Sequence, residues 1–128
     1  MKVRLTLAAA LIAALVPTLA AASGWVLLGS KNVRDRVDYD EITLAGHRTF
    51  SQVKVCVQRH PVRIYDIDIY FNNGGHQDIS VREQIAAGSC TRVIDLEGGP
   101  RDIARIRLVY EESSALPRTA TVNVYGMR

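Results

Sequence analysis

Two carboxylates two residues apart, Asp66 and Asp68, are the first place in this 128-residue chain where chemistry could sit. On a strand, residues i and i+2 share one face with Cα atoms about 7 Å apart. Such a pair could hold Ca2+ with help from Asn72 or Asn73, or divide the acid and base roles of glycoside hydrolysis. The EF-hand spacing is not met, because Tyr70 and Phe71 stand where a ligand and a glycine are needed. Charge that keeps a strand face wet accounts for the same pair without any ligand.

Arg101, Arg105 and Arg107, near Tyr110, form the densest basic group. Guanidinium forks suit the anionic groups of a sulfated or carboxylated polymer, and Arg105 and Arg107 share a strand face. Asp95, Glu97 and Asp102 lie close in sequence, so local ion pairing is the expected role. Arg101 with Asp95, across the Gly98-Gly99-Pro100 turn, is the expected structural ion pair; exposed pairs of this kind stabilise little. His47, His60 and His76 are scattered and lack zinc-site spacing. Ser113 and Ser114 have no G-x-S-x-G setting, and the glycine pairs have neither dinucleotide nor P-loop spacing. No catalytic residue, metal or cofactor is assigned.

The elements that must position these residues are strands. In VRIYDIDIYFNNGG, residues 62–75, Val62 and Ile64 share one parity while Ile67, Ile69 and Phe71 take the other. A one-residue slip near Tyr65 and Asp66, a β-bulge, keeps every aliphatic side chain inward and turns Asp66, Asp68 and Tyr70 outward. Asn72-Asn73-Gly74-Gly75 reads as a hairpin turn, with a return strand over residues 76–82. Val53, Val55 and Val57 give residues 50–58 one apolar face. Further strands are expected over residues 25–28, 42–44, 90–96, 103–110 and 119–125. Residues 31–41 read as a charged loop or weak edge strand, and residues 82–89 are too short for a stable helix. The pattern predicts an all-β fold, an antiparallel β-sandwich of about seven or eight short strands.

Residues 1–22 stand outside that domain. Lys2 and Arg4, a dozen apolar residues, Pro17 and the small residues Ala20 and Ala22 make a signal peptide cut after Ala22. The apolar run is shorter than the roughly 20 residues a membrane span requires. No cysteine near the cut offers a lipid anchor, so no stable membrane attachment is expected after cleavage. The mature chain, residues 23–128, is expected to be one domain, periplasmic or secreted. Losing Lys2 and Arg4 takes the basic count from 16 to 14 against 13 acids, a net charge of +1. That balance gives no long-range attraction to nucleic acid. In an oxidising compartment Cys56 and Cys90 are expected to form a disulfide.

WVLLGS at Trp25, IYFNNG at Ile69, VIDLEGGPRDIARIRLVY over residues 93–110 and the closing VNVYG resemble the YaaI-like family of small exported bacterial proteins, a domain of unknown function. The resemblance implies export and a small β-rich domain, and carries no activity, substrate or catalytic residue. The expected function is a non-enzymatic binding or interaction module of the cell envelope whose partner is an envelope protein or a glycan. The alternative is a Ca2+-binding or small hydrolytic module built on Asp66 and Asp68.

Overall fold

The computed structural model describes residues 24–33, 37–45, 48–112 and 119–128; the expected signal peptide, His47, Ser113 and Ser114 lie outside them. Among the described residues there are nine strands and no helix. They are β1 (Trp25–Val33), β2 (Val37–Thr43), β3 (Thr49–Phe50), β4 (Gln52–Gln58), β5 (Val62–Phe71), β6 (His76–Ile85), β7 (Ile94–Asp95), β8 (Arg101–Glu112) and β9 (Ala120–Met127). One sheet has the order β1-β9-β4-β7; the other has the order β2-β8-β5-β6, with β3 added on β8. Every pairing is antiparallel. The fold is the β-sandwich that the strand pattern predicts.

Alternation builds the core. Val53, Val55 and Val57 of β4, Ile64, Ile67 and Ile69 of β5, Ile106, Leu108 and Tyr110 of β8, and Val122 and Val124 of β9 are buried between the sheets. The register of β5 shifts between Ile64 and Asp66 against both neighbours, so the bulge lies where the parity slip requires it. Phe71 and Gly75 close the hairpin through a backbone hydrogen bond of 2.9 Å, with Gly74 at φ 93.

Three segments depart from expectation. β1 does not stop at Gly29 but bulges between Leu27 and Gly29 and runs on to Val33. A Cβ on Gly29 would come within 2.7 Å of the Ile42 side chain, so the glycine admits the facing sheet and does not end the strand. The charged stretch before Ile42 becomes β2, because Tyr39 and Glu41 register with Val109 and Arg107 of β8. The strand expected over residues 90–96 is split. Gly88, Ser89 and Thr91 hydrogen-bond to the backbone of Val55 and Val57, Thr91 Oγ1 also accepts from Val55 N, and β7 proper is only two residues long.

The disulfide forms between Cys56 and Cys90, a sequence separation of 34. The two cysteines are also bridge partners, so the bond clamps the 86–91 connection onto the outer side of β4.

Candidate functional site

The outer face of the sheet β2-β8-β5-β6 collects most of the chemistry. Cross-strand register lays its side chains in rows. Thr43, Arg105, Tyr70 and His76 make one, and Glu41, Arg107, Asp68 and Asp78 the next. Tyr39, Val109, Asp66 and Ser80 follow, and Val37, Glu111, Arg63 and Gln84 come last. Asp66, Asp68, Arg105 and Arg107, singled out in the sequence on two separate strands, therefore share one surface. The bulge at Tyr65 is the local feature that turns both aspartates onto it.

The first two rows form a cross-braced lattice. His76 stacks on Tyr70 with ring centroids 4.5 Å apart, and the Arg105 guanidinium lies 4.0 Å from the Tyr70 ring centre. Arg105 also pairs with Glu41 at 3.4 Å, an exposed contact worth little on its own. Arg107 lies over Tyr39 at 5.1 Å. Asp68 meets His76 Nε2 at 3.2 Å and stands opposite Asp78. Burial raises the Asp68 pKa first, and its side-chain hydrogen bonding with Asp78 raises it further, against the lowering effect of His76.

That shift predicts a pH dependence. A carboxyl whose folded pKa is raised adds stability when protonated, and loses it as pH climbs through the raised value. Asp78→Asn removes the opposing charge and offers Asp68 an amide donor. The variant is expected to be more stable than wild type at pH 7 by less than about 1 kcal/mol, since the pair is on the surface. The advantage should vanish as the buffer is acidified into the range where Asp68 takes up its proton. Thermal melts of both proteins across that range check it, and a difference that does not change with pH would refute the effect of Asp78 on Asp68.

The last two rows enclose an open groove of about 560 Å3, lined by Val37, Arg63, Tyr65, Asp66, Arg82 and Val109. Tyr65 donates its hydroxyl to Glu111 at 2.7 Å, and that bond holds the phenol above its ordinary pKa. Arg63 lies 5.9 Å from the Tyr65 ring centre. Arg82 has φ 48, a left-handed conformation that non-glycine residues rarely adopt. Among the described residues neither arginine has a carboxylate partner, and Asp66 has no cationic one.

The remaining sequence candidates lie elsewhere. Asn72 and Asn73 sit at the hairpin end, beside a second depression of about 390 Å3 with Phe71, Pro100, Arg101 and Asp102. Asn73 Oδ1 accepts from Gly75 N at 2.9 Å and from Arg101 at 3.4 Å, so it is committed to the turn. The expected Asp95–Arg101 pair is replaced. Arg101 donates to the Glu97 carbonyl at 2.7 Å and lies over the Phe71 ring at 3.8 Å, while Asp95 accepts from Gln52 Nε2 at 2.8 Å. The cause is topological: Asp95 is on β7 in one sheet and Arg101 on β8 in the other. Asp66 and Asp68 lie on the sheet face and Asn72 and Asn73 at the hairpin end, and among the described residues no three or more His, Cys, Asp or Glu side chains are grouped to hold a metal ion.

Arg63, Arg82 and Tyr65 are groove residues that sequence reasoning passed over. The parity slip was the available signal for Arg63 and Tyr65, since it fixes which side chains flank Asp66. Nothing in the sequence marks Arg82, whose position depends on register across β5 and β6. On the other sheet, the Lys54 ammonium lies 4.3 Å from the Trp25 ring centre and 5.9 Å from that of Tyr125.

Comparison with solved structures returns sandwiches of low identity. A putative alpha-L-fucosidase from Bacteroides thetaiotaomicron is 18% identical with a TM-score of 0.52; the match covers 80% of this chain and 23% of that one. The CBM32 of AlyQ, in complex with 4,5-unsaturated mannuronic acid, is 12% identical with a TM-score of 0.47, covering 77% of each chain. The family 32 CBM from C. perfringens NanJ, in complex with galactose, is 11% identical with a TM-score of 0.44, covering 79% of this chain and 98% of that one. The chain thus spans about a quarter of the fucosidase's length. At these identities the likeness is one of fold alone. No curated protein matches the chain. Its family is nevertheless defined: the chain belongs to the domain of unknown function DUF2541, whose model matches residues 5–126.

Proposed function

We propose that the protein is exported, with residues 1–22 removed and residues 23–128 folding as one domain, and that it is a non-enzymatic module binding a glycan of the cell envelope. The observation that carries this reading is the open groove on the outer face of β2-β8-β5-β6. Its volume of about 560 Å3 lies within the roughly 300–1,000 Å3 usual for ligand sites. Its lining joins aliphatic, aromatic, guanidinium and carboxylate groups, the mixture needed to hold a ring with an apolar C–H face and hydrogen-bonding hydroxyls. The Cys56–Cys90 disulfide supports export, because such bonds persist in oxidising compartments. The resemblance to YaaI-like exported proteins supports the same assignment.

A protein partner is the less favoured occupant. Stable protein interfaces centre on a continuous apolar core. Among the described residues the exposed large apolar side chains are separated: Leu27 is on β1 of one sheet, Val37 and Tyr39 are on β2 of the other, and Val93 precedes β7 outside the strands. Affinity electrophoresis through gels containing neutral or acidic polysaccharides tests the proposal. Retardation without release of reducing ends is the expected result. Release of reducing ends would refute the non-enzymatic reading, and free migration in every gel would refute glycan binding.

A further inference from the structure

We propose that the groove lined by Val37, Arg63, Tyr65, Asp66, Arg82 and Val109 is a subsite for one acidic sugar unit, a saccharide carrying a carboxylate or sulfate; the inference rests on the glycan-binding reading above. The sequence draws attention to Arg105 and Arg107 for such a role. In the fold neither of these lines the groove: Arg105 pairs with Glu41 and lies over Tyr70, and Arg107 lies over Tyr39. Arg63 and Arg82 are the guanidiniums of this face that line a cavity without a carboxylate partner among the described residues.

The charge balance of the groove follows from who holds whom. Two guanidiniums face one lining carboxylate, Asp66. Glu111, in register with Arg63, keeps its charge while it accepts the Tyr65 hydroxyl, but it is not one of the residues that line the groove and makes no ion pair with Arg63. Arg63 on β5 and Arg82 on β6 each bring a guanidinium to the groove, the planar donor fork that matches a carboxylate or sulfate. The backbone of Arg82 is an independent sign. A non-glycine residue held at φ 48 is strained, and strain of this kind clusters where a side chain must be aimed at a ligand.

The rest of the lining argues for a sugar and against an acidic peptide. Asp66 would repel a run of carboxylates, but it accepts hydrogen bonds from neighbouring hydroxyls. Val37 and Val109 supply an apolar floor for a ring's C–H face. Arg63, Asp66 and Val109 sit on β5 and β8, strands hydrogen-bonded on both sides. Their backbones are used up, so a peptide cannot add itself there as an extra strand.

The test is calorimetric titration of the purified protein with polygalacturonate, carboxyl-reduced polygalacturonate, dextran sulfate and poly-glutamate. Binding to polygalacturonate or dextran sulfate is expected, and the stronger of the two identifies carboxylate or sulfate as the recognised group. Carboxyl reduction should weaken polygalacturonate binding about tenfold or more, as should Arg63→Gln or Arg82→Gln against the preferred polymer, the size expected of a central anchoring contact. Lys54→Gln, on the opposite sheet, should bind as wild type does, and melting curves report whether each variant is folded. Equal binding to the carboxyl-reduced polymer, with none to dextran sulfate, would overturn the acidic-unit inference and leave glycan binding standing. Poly-glutamate binding as tight as the polysaccharides would replace the sugar with an acidic peptide. Folded arginine variants that bind unchanged would move the site elsewhere, and no binding to any polymer would overturn both readings.

Discussion

Reducing the Cys56–Cys90 bond, or replacing both cysteines by serine, is expected to lower the stability of the folded chain by about 3–4 kcal/mol, the chain-entropy estimate for a loop of this length. That is a large share of the roughly 5–15 kcal/mol that holds a whole domain. The structure gives a native-state reason for the loss as well. The connection after β6 has little regular pairing, and Gly88, Ser89 and Thr91 follow β4 through hydrogen bonds to Val55 and Val57. Thr91 is buried, and its hydroxyl occupies Val55 N. Cut the covalent clamp and this segment depends on those few bonds alone. Urea melts with and without reductant at one pH measure the difference. A loss below about 1 kcal/mol would mean that the loop is held by packing and not by the bridge. Alkylation without reductant adds a second check, since mass shifts for two free thiols would refute the bond itself.

How far the sequence carries can be followed residue by residue. Side-chain parity survives into three dimensions because burial is decided strand by strand. Val53, Val55 and Val57 predict their own burial, as do Ile106, Leu108 and Tyr110. The slip between Ile64 and Ile67 even locates the bulge, because no other arrangement keeps those aliphatics inward. What parity cannot supply is which strand lies beside which. Arg105 meets Tyr70 and Glu41, and Asp68 meets Asp78, only through cross-strand register. The groove is legible only at that level, since its lining comes from β2, β5, β6 and β8. Asp95 and Arg101 show the converse. Six residues apart in sequence, they belong to different sheets, so proximity along the chain suggested a pair that the topology separates. Gly29 misleads for a related reason: a glycine reads as a stop unless one knows that Ile42 presses against it.

Phe50→Ala is expected to cost about 3–5 kcal/mol, the range for emptying a buried aromatic site. Phe50 is fully buried at the point where the chain crosses between sheets. It registers with Arg101 of β8, while the next residue, Ser51, donates its backbone N–H to Met127 O at 2.7 Å in the other sheet. The ring is packed against backbone: a Cβ on Gly126 would fall 2.8 Å from Phe50 Cδ1 and 3.2 Å from Leu28 Cδ1. Gly126→Ala should therefore destabilise by about 1–3 kcal/mol through overpacking. The two sites must also be coupled. Phe50→Ala removes Cγ and Cδ1, the atoms that the new methyl would strike, so the double variant Phe50→Ala/Gly126→Ala should lose less than the sum of its parts, by about 1 kcal/mol or more. Urea denaturation of the wild type, both single variants and the double variant completes the cycle. Strict additivity would show that Gly126 is small for some reason other than the ring, and that the two sheets are not joined through this contact.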